Sequence, residues 1–135
     1  MATFVKFYSF TEALAEKKFN LGTDTLKVAL TNTAPALTNT QLLNLTEISY
    51  TNVSSRTVTI TSSSQTTGTY KLVLADLVLT ASGNVGPFRY VVLYSDTAAN
   101  KDLICYYDYG SSLSLVATQT FTVDFSPSTG VIQIA

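Results

Sequence analysis

The chain contains no histidine and no tryptophan, and only one cysteine, Cys105. Without histidine there is no Ser-His-Asp triad and no Cys-His pair. The His-containing zinc sites go with it, and one thiol makes neither a Cys-only zinc site nor an intrachain disulfide. Cys105 sits in the apolar run Leu103-Ile104-Cys105-Tyr106-Tyr107 and reads as a small buried hydrophobe. Neither a P-loop nor a Rossmann glycine fingerprint is present. No apolar stretch nears the roughly 20 residues of a membrane helix, and the N-terminus lacks the apolar core of a secretory signal. The sequence is therefore expected to be made in a cytoplasm, with no membrane partner.

Charge is scarce as well. Charged residues make up 13% of the chain, against about 25% in typical soluble domains. The net charge is −1 and the 8 Lys and Arg are scattered. Binding to a nucleic-acid backbone requires several phosphates to be neutralised, so nucleic acid is not expected as a partner. Ser, Thr and Asn take the place of the missing charges. Such a surface desolvates more easily against another protein than one rich in Lys and Glu.

What the sequence does have is β-pattern. Thr25-Leu26-Lys27-Val28-Ala29-Leu30-Thr31 and Thr57-Val58-Thr59-Ile60-Thr61 alternate, as does Thr120-Phe121-Thr122-Val123-Asp124-Phe125. Residues 88–94 and 103–109 are almost continuously apolar, as in strands buried on both faces. Residues 70–79 form an apolar run broken at Asp76, giving two strands or one bent strand. Residues 131–134 read as a last strand. Turns are expected at 62–68, 82–84, 95–102, 109–112 and 126–130, and residues 42–48 fit a short helical turn. Short strands at this spacing, with no βαβ alternation, predict one all-β domain over residues 1–135, an antiparallel β-sandwich or barrel-like fold. The expected core is Leu26, Val28, Leu30, Val58, Ile60, Leu72, Leu74, Tyr90, Val92, Leu93, Ile104, Phe121, Val123, Phe125 and Ile132.

Residues 1–20 differ and read as an N-terminal arm with one short helix. Ser9-Phe10-Thr11-Glu12 has the S-x-x-E spacing of a capping box, and apolar spacing then predicts a helix over residues 10–18, with Asn20 and Gly22 as stops. Phe4, Phe7, Tyr8 and Phe10 crowd this arm; they either close the core or dock on a neighbouring subunit, and are interface candidates. Deleting residues 2–8 is then expected to weaken assembly and leave a folded domain.

The remaining chemistry is that of carboxylates. Two acids across a cleft suffice for glycosidic hydrolysis, and Asp76, Asp102, Asp108 and Asp124 are the candidates. Two of them have a simpler reading, Asp124 as a solvated strand residue and Asp108 as a backbone-capping group at a turn. Asp96, Asn100 and Asp102 lack the spacing of a calcium loop. No catalytic residue, cofactor or metal is therefore assigned. The 8 tyrosines fit a core or an interface better than a sugar groove. Arg89, alone in an apolar strand, must find a partner. An intrachain aspartate is favoured over a neighbouring subunit, and Arg89 joins the interface candidates.

The run Phe19-Asn20-Leu21-Gly22-Thr23-Asp24-Thr25-Leu26-Lys27-Val28-Ala29-Leu30-Thr31-Asn32-Thr33-Ala34-Pro35 resembles a small family of tailed-phage virion proteins. Gly86-Pro87-Phe88-Arg89-Tyr90 and Tyr107-Asp108-Tyr109-Gly110-Ser111 look like later landmarks of that family. The resemblance implies a structural role in the particle, best fitted by a capsid cement or decoration protein. Such proteins are small, β-rich and often trimeric, and clamp neighbouring capsomers. The implied partners are the major capsid protein or other virion subunits, and further copies of this chain. The alternatives are a tail or head-tail connector component and a carbohydrate-binding domain at a tail tip.

Overall fold

The computed structural model describes residues 3–135. Met1 and Ala2, where the expected arm begins, lie outside the described residues. The fold is all-β with a single short helix. The elements are β1 (Thr3–Lys6), α1 (Tyr8–Ala15), β2 (Leu26–Thr31), β3 (Thr57–Val58), β4 (Ile60–Thr66), β5 (Thr69–Leu74), β6 (Leu77–Thr80), β7 (Val85–Ser95), β8 (Leu103–Leu115), β9 (Thr120–Val123) and β10 (Ile132–Ile134).

One layer is a five-stranded antiparallel sheet in the order β1-β8-β7-β2-β3. The other layer holds β10-β5-β4 and β6-β9. Those two pieces are stitched along three ribbons, residues 53–66, 69–81 and 120–134. Ala75 N–H donates to Thr59 O (2.9 Å), Ser54 N–H to Thr80 O (3.1 Å) and Val131 N–H to Leu72 O (2.8 Å). The break at Asp76 resolves as two strands. There the Asp76 carboxylate accepts the Phe125 N–H at 2.9 Å, replacing the ladder bond lost at the bend.

The layers face each other across the main core. Val28, Leu30, Val91 and Leu93 of the first meet Leu72, Leu74, Leu79, Val123 and Ile132 of the second. Most of the expected core is buried, while Ile60, Tyr90 and Phe121 are only half-buried. Phe88, absent from the expected set, is fully buried. A second, smaller cluster covers the outer face of the first sheet. Ala29, Val92, Tyr94, Leu103 and Phe7 lie there beneath Leu42 and Leu45. That loop, with its 3₁₀ turn at Leu42–Asn44, is why β7 and β8 read as continuously apolar.

The N-terminal arm departs from expectation in four ways. Residues 3–6 form a strand, pairing Thr3–Lys6 with the edge of β8. The helix runs Tyr8–Ala15 rather than over residues 10–18, and its N-cap is Phe7 with no side-chain cap, so the Ser9 capping box does not form. The helix ends early because Lys17 turns left-handed (φ 67°), letting Lys18 N–H bond back to Ala13 O at 2.9 Å. Finally, Phe7 and Phe10 are buried in the protein's own cores. A deletion of residues 2–8 therefore removes core and sheet, not a detachable arm.

Two turn expectations also shift. Residues 62–66 belong to β4, and only Thr67-Gly68, both at positive φ, form the hairpin turn. Residues 109–112 do not end β8. They bulge out opposite Arg89, and pairing resumes at Phe88↔Leu113.

On one side of the sandwich β2 is covered by β3, by an Arg56 guanidinium N–H bond to Val28 O (2.8 Å) and by the Tyr50 hydroxyl, which accepts Leu30 N–H at 2.9 Å. β3 and β4 are the terminal strands on that side; on the other side β1, β9 and β10 are terminal, and no described strand pairs with the outer edges of these five.

Candidate functional site

The side of β1 and β9 holds a groove of about 820 Å³. Phe4 of β1 and Tyr107 and Tyr109 of β8 form one wall, Val91 lines it deeper in, and Phe121 and Val123 of β9 form the other wall. The loop from Ser126 to Gly130 completes the rim. The register explains the grouping. Phe4 pairs with Tyr107 and Tyr107 with Val91, and directly paired residues share a face. Phe4 and Tyr107 meet edge to face at 5.6 Å, and Tyr109 and Phe121 at 5.4 Å. Phe4 is 43% exposed and Tyr109 48% exposed, so aromatic surface stays open to water. Burial raises the Tyr107 hydroxyl above the usual phenol range, so it stays neutral at physiological pH.

The expected interface residues separate. Phe4 lines this groove, Tyr8 is exposed at the start of α1, and Phe7 and Phe10 face inward. Arg89 lies at the bulge, where Nε donates to Asp108 Oδ1 at 2.8 Å and Nη2 to Oδ2 at 3.1 Å. This is the intrachain pair favoured from sequence. Asp108 Oδ1 also accepts the Gly110 N–H at 2.8 Å, which fixes the bulge. Tyr109 and Phe121 belong to the groove, although the sequence does not mark them as site residues. Its residues come from four separate stretches of the chain, so no local motif announces it.

The Arg89 hydrogen bonds, and then the Gly110 N–H, hold the Asp108 carboxyl below the usual carboxylate range. A carboxyl that ionises at lower pH when folded adds stability above its unfolded value, and loses it as pH falls through the folded one. The stability gap between wild type and Asp108→Asn should therefore be present at neutral pH and close in acid. Urea unfolding across pH measures it, and a gap unchanged into strong acid would refute the assignment.

The other carboxylates are dispersed. Asp96 is held by Lys101 (3.1 Å) and Lys27 (3.5 Å), while Asp102 is largely buried and its main chain bridges to that of Gln41. Asp76 is bound to the Phe125 amide, and Asp124 is exposed on the groove rim. Among the described residues no three carboxylate or thiol groups gather as a metal site requires. Cys105 is fully buried, and burial pushes its thiol far up. It should resist a thiol-specific reagent in the native protein and react fully in denaturant. Fast native labelling would contradict its burial.

Comparison with protein-family models, with curated proteins and with solved structures finds no match to this chain.

Proposed function

We propose that this protein is a non-enzymatic structural subunit of a bacteriophage particle, and within it a capsid cement or decoration protein joining neighbouring capsomers. The observation that carries the assembly reading is an apolar groove with exposed aromatic walls, lying beside the unpaired outer edges of β1 and β9. Unpaired strand edges next to exposed aromatics are a surface that another chain can cover. The particle reading is supported by the sequence resemblance over residues 19–35, 86–90 and 107–111.

The mechanism is mechanical reinforcement. A trimer touching several shell subunits gains effective concentration at each contact after the first. Binding only to the assembled shell stabilises that shell by mass action. Light scattering on the purified protein should give a trimer. Antibodies against it should label the heads of phage particles from the source culture. Sixfold rings with tail labelling would move the assignment to a tail or connector component, and particles without label would sink the virion reading.

The aromatic walls of the groove favour one second reading, a carbohydrate-binding domain at a tail tip. Sugars stacking on Tyr109 would change tyrosine fluorescence, the only strong intrinsic emission in a chain without tryptophan.

A further inference from the structure

We propose that the β1 and β9 side of the sandwich is a strand-acceptor site for an extended segment of a partner subunit, with apolar side chains at alternate positions and a lysine or arginine beside Asp124. This rests on the assembly reading and names the chemistry of what the protein assembles with.

The main chain supplies the first argument. The outer edges of β1 and β9 flank the groove, and no described strand pairs with either. A free edge binds an extended chain through its N–H and C=O groups, whatever the sequence. Side chains supply the second. Successive residues of a strand point to opposite faces. A strand added at this rim turns every second side chain into the groove, against Phe4, Tyr109 and Phe121, and the others to water. Charge supplies the third. Among the described residues, Asp124 is the one charged residue lining the groove. It is exposed and takes part in none of the ion pairs among the described residues. A cation on the incoming segment complements it, and an acidic segment is repelled.

Other occupants fit less of this. Two copies pairing edge to edge through β1 would satisfy main-chain groups, but each copy's Phe4 already lines its own groove, so neither groove would be filled. A glycan would stack on the aromatics and leave the strand edges unpaired.

The test is selection of a displayed random-peptide library against the immobilised full-length protein. The expected consensus has apolar residues at every second position and a basic residue at one end. The synthesised consensus peptide should slow amide hydrogen exchange in β1 or β9. Tyr109→Ala should weaken its binding tenfold or more, Asp124→Lys several-fold with loss of the salt dependence, and Leu43→Ser, which alters an exposed residue outside the groove, not at all. Circular dichroism and the melting temperature check that each variant is folded. Failure to enrich any consensus, a consensus at helical spacing, or protection elsewhere would overturn the proposal. So would an oligomer that dissolves in Tyr109→Ala, since a second copy would then occupy the groove, or a sugar that binds at Tyr109 where no peptide does. The selection uses no phage component, so its result and that of the particle labelling stand or fall separately.

Discussion

Replacing Phe7 with alanine should cost about 3–5 kcal/mol of stability, whereas Phe4→Ala, three residues earlier, should cost about 1 kcal/mol or less. The two differ in what surrounds them. Phe7 is fully buried, in the cluster under Leu42 and Leu45, with its ring 5.4 Å from that of Tyr106. Its N–H also bonds Ile104 O at 3.2 Å, which ties the start of α1 to β8. Truncation leaves a cavity bounded by a sheet and a loop anchored at both ends, which collapse poorly. Phe4 is 43% exposed and loses mainly its edge contact with Tyr107. Domains of this kind have about 5–15 kcal/mol in total. Deleting residues 2–8, which removes both Phe7 and β1, should therefore abolish the cooperative urea transition. Equal midpoints for Phe7→Ala and Phe4→Ala would show that Phe7 is not a core residue.

The same arm shows where sequence reasoning stops. β9 was legible because side-chain period alone identifies a half-buried strand, and β2 shows the same alternation although both of its faces are covered. The continuous apolar runs of β7 and β8 were legible for a related reason where both faces are covered, at residues 91–95 and 103–105, whereas residues 106–108 are half-buried and Tyr109 is exposed. β1 has four residues, too few to display a period, and it exists because the edge of β8 offers it partners. The Ser9-to-Glu12 spacing is a genuine capping pattern, but burial of Phe7 starts the helix earlier, and tertiary packing outweighs a cap worth about 1 kcal/mol. Gly110 looks like the end of a strand because its backbone does turn there, at φ 100°. What the sequence hides is that pairing resumes beyond it at Leu113. The Arg89–Asp108 pair was legible, since a charge in an apolar strand needs a partner. The groove was not, because it arises from how two sheet edges are spaced, and strand order is not written in any one segment.

Replacing Gly130 with alanine should cost roughly 2–5 kcal/mol, the sum of left-handed strain of about 1–2 kcal/mol and overpacking of about 1–3 kcal/mol. Gly130 has φ +73°, and an added Cβ would stand 2.6 Å from Leu72 O and 3.3 Å from Leu72 C. Neither atom moves freely. The Leu72 carbonyl accepts the Val131 N–H at 2.8 Å, and Leu72 is paired with Ile132. The strain therefore falls on the junction that joins β10 to β5 and carries the rim loop of the groove. Gly68 is the natural control. It has φ +85° but nothing within 4 Å of an added Cβ, so Gly68→Ala incurs only the conformational part. Urea midpoints of the two variants should separate by the overpacking component, with Gly130→Ala the weaker. If they coincide, the close approach of Gly130 to Leu72 is not a constraint on the fold. If Gly130→Ala also weakens the consensus peptide while Gly68→Ala does not, the rim loop is part of the acceptor site as well as of the core.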